Sequence, residues 1–202
     1  MRSKKEALIA IDLQNDFCEG GALAVRGAEG ILYPINSIMK KFQTVVLTQD
    51  WHPKNHSCFA SQHSEKKQYM VIDMPYGPQI LWPDHCVQDS RGADFHSSVS
   101  VNDSHLILRK GFRKSIDSYS AFFENDRKTP TGLLGFLKEK GIDKITIVGL
   151  ALDFCVGFSA IDASRLNFDV SILKSLCCSI NLDGSLESAL INMKNTGVKI
   201  DG

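Results

Sequence analysis

"KITIVGLALDFCVGFSAIDASRLNFDVSILKS", residues 144–175, decides the fold. Its first seven residues, 144–150, form an apolar, β-branched run with the length of a buried strand. "FCVGFSAIDASRL" (154–166) then reads as a helix, with Asp153 just ahead of it as a candidate cap. "DVSILKS" (169–175) is strand again. Strand, helix and strand within about thirty residues make the repeating unit of a parallel sheet.

The alternation continues outward from this unit. "ALIAIDL" (7–13), "TVVLTQD" (44–50) and "HLILRKG" (105–111) read as strands, and "VKI" (198–200) as a final one. "EGILYPINSIMKKF" (29–42), with Pro34 placed near its first turn, "TGLLGFLKEKG" (131–141) and "GSLESALINMKNTG" (184–197) read as helices. The expectation is an α/β protein: one domain over 1–202, three-layer and doubly wound, with a mostly parallel sheet flanked by helices. Residues 51–104 show little periodicity, and irregular segments of that length are more often functional than idle. No repeat, low-complexity tract or linker argues for a second domain.

A chain of 202 residues with 43% hydrophobic and 23% charged residues has ordinary globular composition and enough length for a sizeable core. Lys+Arg and Asp+Glu balance at 23 each, which gives no electrostatic case for nucleic acid or an anionic membrane as partner. The start, "MRSKKEALIAIDLQNDF", has an apolar run too short to span a membrane and lacks the signal-peptide pattern. The chain therefore reads as soluble and cytoplasmic. Cys18, Cys58, Cys86, Cys155, Cys177 and Cys178 contain no C-x-x-C spacing, and without a secretory signal a disulfide framework is not expected.

Four polar residues fall at equivalent places. Asp12 ends the first strand, Asp50 the second and Lys110 the third, and Cys155 follows the fourth. In a parallel sheet these ends open on one edge, where ligand sites form. A free thiol is mostly protonated at neutral pH, and a place in the first turn of a helix lowers its pKa. Asp12 is then a candidate general base, and Lys110 a cation that stabilises carboxylate and thiolate together. A second constellation, "DWHPKNH" with "WPDHC", brings Asp50, His52, His56 and His85 forward as ligands for a divalent transition metal. Each residue alone has a bland reading as a turn former, a solvent-facing Lys or a buried small hydrophobe. Only their convergence argues for chemistry.

The blocks "IDLQNDFCEGGALAV", "TQDWHPKNHSCFA", "LWPDHCVQDS", "KGFRKSIDSYSAF" and "VGLALDFCVGFSAIDA" resemble, in order, the signatures of nicotinamidases. These enzymes, also called pyrazinamidases, belong to the isochorismatase-like cysteine hydrolases. The resemblance implies the isochorismatase-like hydrolase fold and hydrolysis of nicotinamide to nicotinate and ammonia, a step in NAD salvage. It implies a catalytic triad of Asp12, Lys110 and Cys155, and an oxyanion hole from the Ala151 and Cys155 N–H groups beside a cis Leu150–Ala151 peptide. One divalent metal (Zn, Fe or Mn) would be held by Asp50, His52 and His85. Some members use a further His at the position of His56 and others do not. Phe17, Trp82 and Tyr119 match the aromatic positions of the ring pocket. Leu152 departs from the family, which commonly has Thr there. Two other readings stand beside this one. An amidase for an N-carbamoyl or ureido substrate would keep full activity after chelation, and a non-enzymatic interaction protein would release no ammonia from any carboxamide.

Overall fold

Six strands form one wholly parallel sheet through the residues that the computed structural model describes, 3–201. Met1, Arg2 and Gly202, which the sequence reading includes in its charged start and in its domain span, lie outside the described residues. The central strand is β1 (Glu6–Ile11), whose six residues are all buried. On one side of it lie β2 (Thr44–Asp50) and β5 (Leu106–Lys110). On the other lie β6 (Lys144–Leu150), β7 (Asp169–Cys178) and β8 (Lys199–Asp201), so the order is β5-β2-β1-β6-β7-β8.

The period of two along each strand assigns side chains to two separate cores. Leu8, Ala10, Val45, Leu47, Val148 and Leu150 face α1 (Ala28–Met39), which contributes Ile31, Leu32, Ile35 and Met39. Ala7, Ile9, Ile11, Val46, Ile145 and Ile147 face the opposite layer. That layer holds α2 (Leu133–Glu139), α3 (Gly157–Arg165) and α4 (Ser185–Asn195), through Leu133, Leu137, Ala160, Ala163, Ala189 and Met193. Leu8 and Ile9 are both fully buried on opposite faces, each contributing about 1.5–3 kcal/mol relative to an exposed side chain.

Chain direction reverses between β1 and β6: the chain first builds outward to β2 and β5, then returns to β6 and builds the other way. That switch point opens a crevice at the strands' carboxyl ends. Gly149, near the end of β6, has φ +113°, and a Cβ there would lie 2.3 Å from the Ile11 carbonyl oxygen. Only glycine allows the two strand ends to approach this closely.

Three local expectations are corrected. Pro34 stands well inside α1 rather than near its first turn, because the helix already begins at Ala28. Residues 51–104 contain a short antiparallel hairpin, β3 (Val71–Met74) and β4 (Gly77–Ile80), whose mixed exposure gives no clean alternation to read. The helix after β6 does not begin at residue 154. A single π-turn, Leu152–Val156, precedes α3. Among the described residues no helix is long and apolar enough to cross a membrane, and all six cysteines are free.

Candidate active site

Asp12 follows β1 with φ 53°. Its N–H donates to Thr48 Oγ1 (3.1 Å), and the Thr48 hydroxyl donates to Asp12 Oδ1 (2.6 Å). This exchange turns Oδ2 toward Lys110, whose Nζ lies 2.9 Å away. The contact is an ion pair rather than an aligned hydrogen bond, so Oδ2 keeps a lone pair for a further proton.

Lys110 is fully buried and ends β5 in register with Asp50 of β2. Its ammonium donates to Asp50 Oδ1 and to the Ser118 carbonyl (3.0 Å), and lies 3.3 Å from Cys155 Sγ. Burial alone would drive the proton off. The carboxylates of Asp12 and Asp50 outweigh it and hold the Lys110 pKa well above its ordinary value. Asp50 is likewise pushed up by burial, but Lys110 and His52 hold it well below the usual carboxylate range.

The peptide Leu150–Ala151 is cis, as the resemblance implies. Beyond it the Ala151 carbonyl accepts the N–H groups of Phe154 (3.0 Å) and Val156 (3.1 Å), the second five residues on. This widened turn, rather than the first turn of an α-helix, carries Cys155 to Lys110. Burial pushes the Cys155 thiol well up despite Lys110, and the nearby carboxylates of Asp12 and Asp50 add to the rise. The lowering expected from a helix terminus is therefore outweighed: the resting group is a thiol. Burial also raises Asp12, against Lys110 and with Asp50, which makes its carboxylate a better proton acceptor. One oxygen each of Asp12 and Asp50 and the Cys155 sulfur lie within 4.8 Å of one another. Asp153 caps no helix. Its carboxylate accepts hydrogen bonds from a segment beyond β7.

Asp50 serves two centres at once, with Oδ1 on Lys110 and Oδ2 3.7 Å from the Nε2 atoms of both His52 and His85. His52 Nδ1 donates to the Gly111 carbonyl and His85 Nδ1 to the Pro83 carbonyl, both at 2.8 Å. A carbonyl only accepts, so each ring carries a proton on Nδ1, and in its neutral form presents an Nε2 lone pair on the Asp50 side. His52 Nε2 is buried without a hydrogen-bond partner. Burial disfavours positive charge on His52, yet Asp50 overrides it and raises the His52 pKa. The spot calls for a cation, and two imidazole nitrogens with a carboxylate fit a divalent transition metal. Gly111, at φ +66°, makes this packing possible, since a Cβ would lie 2.4 Å from His52 Cε1.

His56 stands beside His52, with ring centroids 4.5 Å apart, but both of its nitrogens are engaged. Nδ1 accepts from the Cys58 N–H (3.1 Å) and Nε2 faces the Ile116 carbonyl (3.1 Å). Burial and the neighbouring His52 push its pKa down to about 4, so the ring is neutral at pH 7. It has no lone pair free for the Asp50, His52 and His85 group.

Cys155 and Ala151 line a cleft together with Phe17, Trp82, Tyr119, His85 and Asp50. Trp82 packs edge-on against Phe154 (5.0 Å between centroids), and its Nε1 donates to the Tyr119 hydroxyl (3.0 Å). Gln79 of the hairpin donates to Asp117 Oδ2 (2.9 Å) and to the Tyr119 hydroxyl (3.2 Å), which fixes that wall. Sequence reasoning missed Leu23, Asp117, Phe154 and Ile180 as lining residues and Thr48 and Gln79 as supports. Leu23 and Asp117 lie inside quoted motif blocks, which was a usable signal. Ile180 and Gln79 lie in none.

Residues 6–201 match the isochorismatase domain family. A nicotinamidase of Acinetobacter baylyi is 50% identical over 193 residues, covering 96% of this chain and 90% of its own length. A nicotinamidase/pyrazinamidase structure from Acinetobacter baumanii superposes with TM-score 0.98 at 46% identity, covering 100% of this chain and 97% of that one. The zinc complex of a pyrazinamidase from Pyrococcus horikoshii gives TM-score 0.77 at 32% identity, over 97% and 98% of the two chains.

Proposed function

The chain belongs to the isochorismatase family, and we propose that within it this protein is a cysteine amidohydrolase that converts nicotinamide to nicotinate and ammonia. One observation carries the reading. A thiol, a carboxylate with an open oxygen and a buried ammonium meet beside an aromatic cleft that Asp50 and His85 also line, with His52 on the same Asp50 oxygen as His85. The relatives at 50% and 46% identity are named for this activity.

The pyridine ring lies among Phe17, Trp82 and Tyr119, with its carboxamide over Cys155. Asp12 Oδ2 takes the thiol proton, and the sulfur attacks the amide carbon. Lys110 keeps its proton throughout and offsets the negative charge that passes between carboxylate and sulfur. The Ala151 and Cys155 N–H groups receive the oxyanion, each such donor being worth about 10²–10³ in rate. Asp12 returns its proton to the departing amine, which leaves as ammonia, and a nicotinoyl thioester remains on Cys155. Asp12 then takes a proton from water, whose oxygen attacks the thioester, and passes that proton to the departing sulfur, restoring the thiol; the acid released loses its own proton to solvent as nicotinate. A divalent cation (Zn, Fe or Mn) held by Asp50, His52 and His85 would supply Lewis acidity toward the ring nitrogen. NAD salvage in the cytoplasm is the setting that fits this reaction and the free cysteines.

The test is ammonia release from nicotinamide by the purified protein as prepared, after chelation, and after add-back of each metal. Loss on chelation and recovery with metal is expected. A protein that releases no ammonia in any of the three states overturns the assignment.

A further inference from the structure

Asp153 stands two residues before Cys155, buried within the π-turn. Its Oδ1 accepts the Ile180 N–H (3.0 Å), and its Oδ2 accepts the Asn181 N–H (2.7 Å) and the Ser185 hydroxyl (2.5 Å). All three donors come from the link between β7 and α4 and from that helix's first residue. Ile180 and Leu182 pack the link against the α1-side core, and the Ser185 N–H donates to the Leu182 carbonyl (2.9 Å), while Asp153 fastens its backbone to the Cys155 turn. Asn181 and Asp183 sit in the left-handed region, at φ 55° and 47°, which Asn and Asp enter more readily than other non-glycine residues. It also starts beside the nucleophile turn, because β7 loses register with β6 and resumes it at Gly149↔Cys177 and Leu150↔Cys178. Ile180 then lines the cleft together with Phe17, Trp82, Tyr119 and Phe154.

We propose that Asp153 is a positioning residue for the substrate: it ties the Ile180 wall to the Cys155 turn and so fixes the slot in which the pyridine ring aligns its carboxamide with the sulfur. The inference rests on the nicotinamidase reading for its substrate. Asp153 does not touch the reacting atoms and acts through Ile180. A substitution at Asp153 should therefore be redundant with a truncation at Ile180.

The experiment measures kcat and KM for nicotinamide in the metal-loaded wild type, Asp153→Asn, Ile180→Ala and the double variant, with hydrogen exchange at the Ile180 and Asn181 amides. Each single variant should raise KM about tenfold with kcat within about threefold. The double variant should equal a single one rather than the product of both. Exchange at the two amides should quicken in Asp153→Asn. Independent, multiplying effects, or faster exchange with an unchanged KM, overturn the proposal. Should Asp153→Asn not fold, Ser185→Ala removes one of the three bonds and keeps the turn. It should raise KM about two- to threefold, again with no added effect on Ile180→Ala, and an unchanged KM overturns the proposal. A wild type that releases no ammonia sinks the nicotinamide reading instead, whatever the amide exchange shows.

Discussion

The Asp12, Lys110 and Cys155 cluster and the Asp50, His52 and His85 group share one carboxylate but are built differently. The first is assembled from the ends of β1, β5 and β6, strands whose register is set by buried apolar faces on both sides. Once that register forms, the charged groups converge, and Lys110 exchanges water for two carboxylates, a carbonyl and a thiol. The second takes only Asp50 from a strand. Both imidazoles come from irregular chain and are aimed by single backbone carbonyls, those of Gly111 and Pro83. A site on strand ends inherits the stiffness of the sheet, while a site on loops needs its own supporting hydrogen bonds.

That contrast can be broken one side at a time. Cys155→Ala should produce the largest effect, with ammonia release falling to background and metal content by elemental analysis unchanged. Full turnover in this variant would remove the thioester route, and lost metal would show that the two groups are not separable. Gly111→Ala should strike the loop-built group alone. A Cβ against the His52 ring should weaken metal affinity by about 10–100-fold, measured by competition with a chelator, while the protein still folds. Leu152→Thr should do least to catalysis. The Leu152 side chain is buried in the core beneath the turn, on the α2–α4 side of the sheet. A hydroxyl there should cost about 1–3 kcal/mol in chemical denaturation and leave kcat near that of the wild type. A gain in kcat would mean that a hydroxyl at this position supports the reaction, as the family's usual Thr suggests.

Asp12, Asp50 and Lys110 were legible because a strand ending in a charged residue is unusual, and a parallel sheet places all such ends on one edge. The cis peptide came from the resemblance alone, since no local pattern in "VGLALDF" announces it. Asp153 was misread as a cap because an acidic residue ahead of a helical pattern ordinarily is one. The π-turn displaces α3 to Gly157 and frees that carboxylate for another segment. The hairpin that holds Gln79 against Tyr119 was hidden because neither of its four-residue strands alternates apolar with polar residues.

The sequence by itself determined the alternation of strand and helix, the order of the motif blocks and which residues are candidates for the reactive groups, because these depend on local periodicity and residue chemistry. Only the tertiary structure decided which protonation each group prefers and what holds it in place. Burial, which no local pattern reports, overrides the helix-terminus effect on Cys155. Contacts between residues far apart in the chain, such as Thr48 on Asp12 and Gly111 on His52, set where each lone pair points.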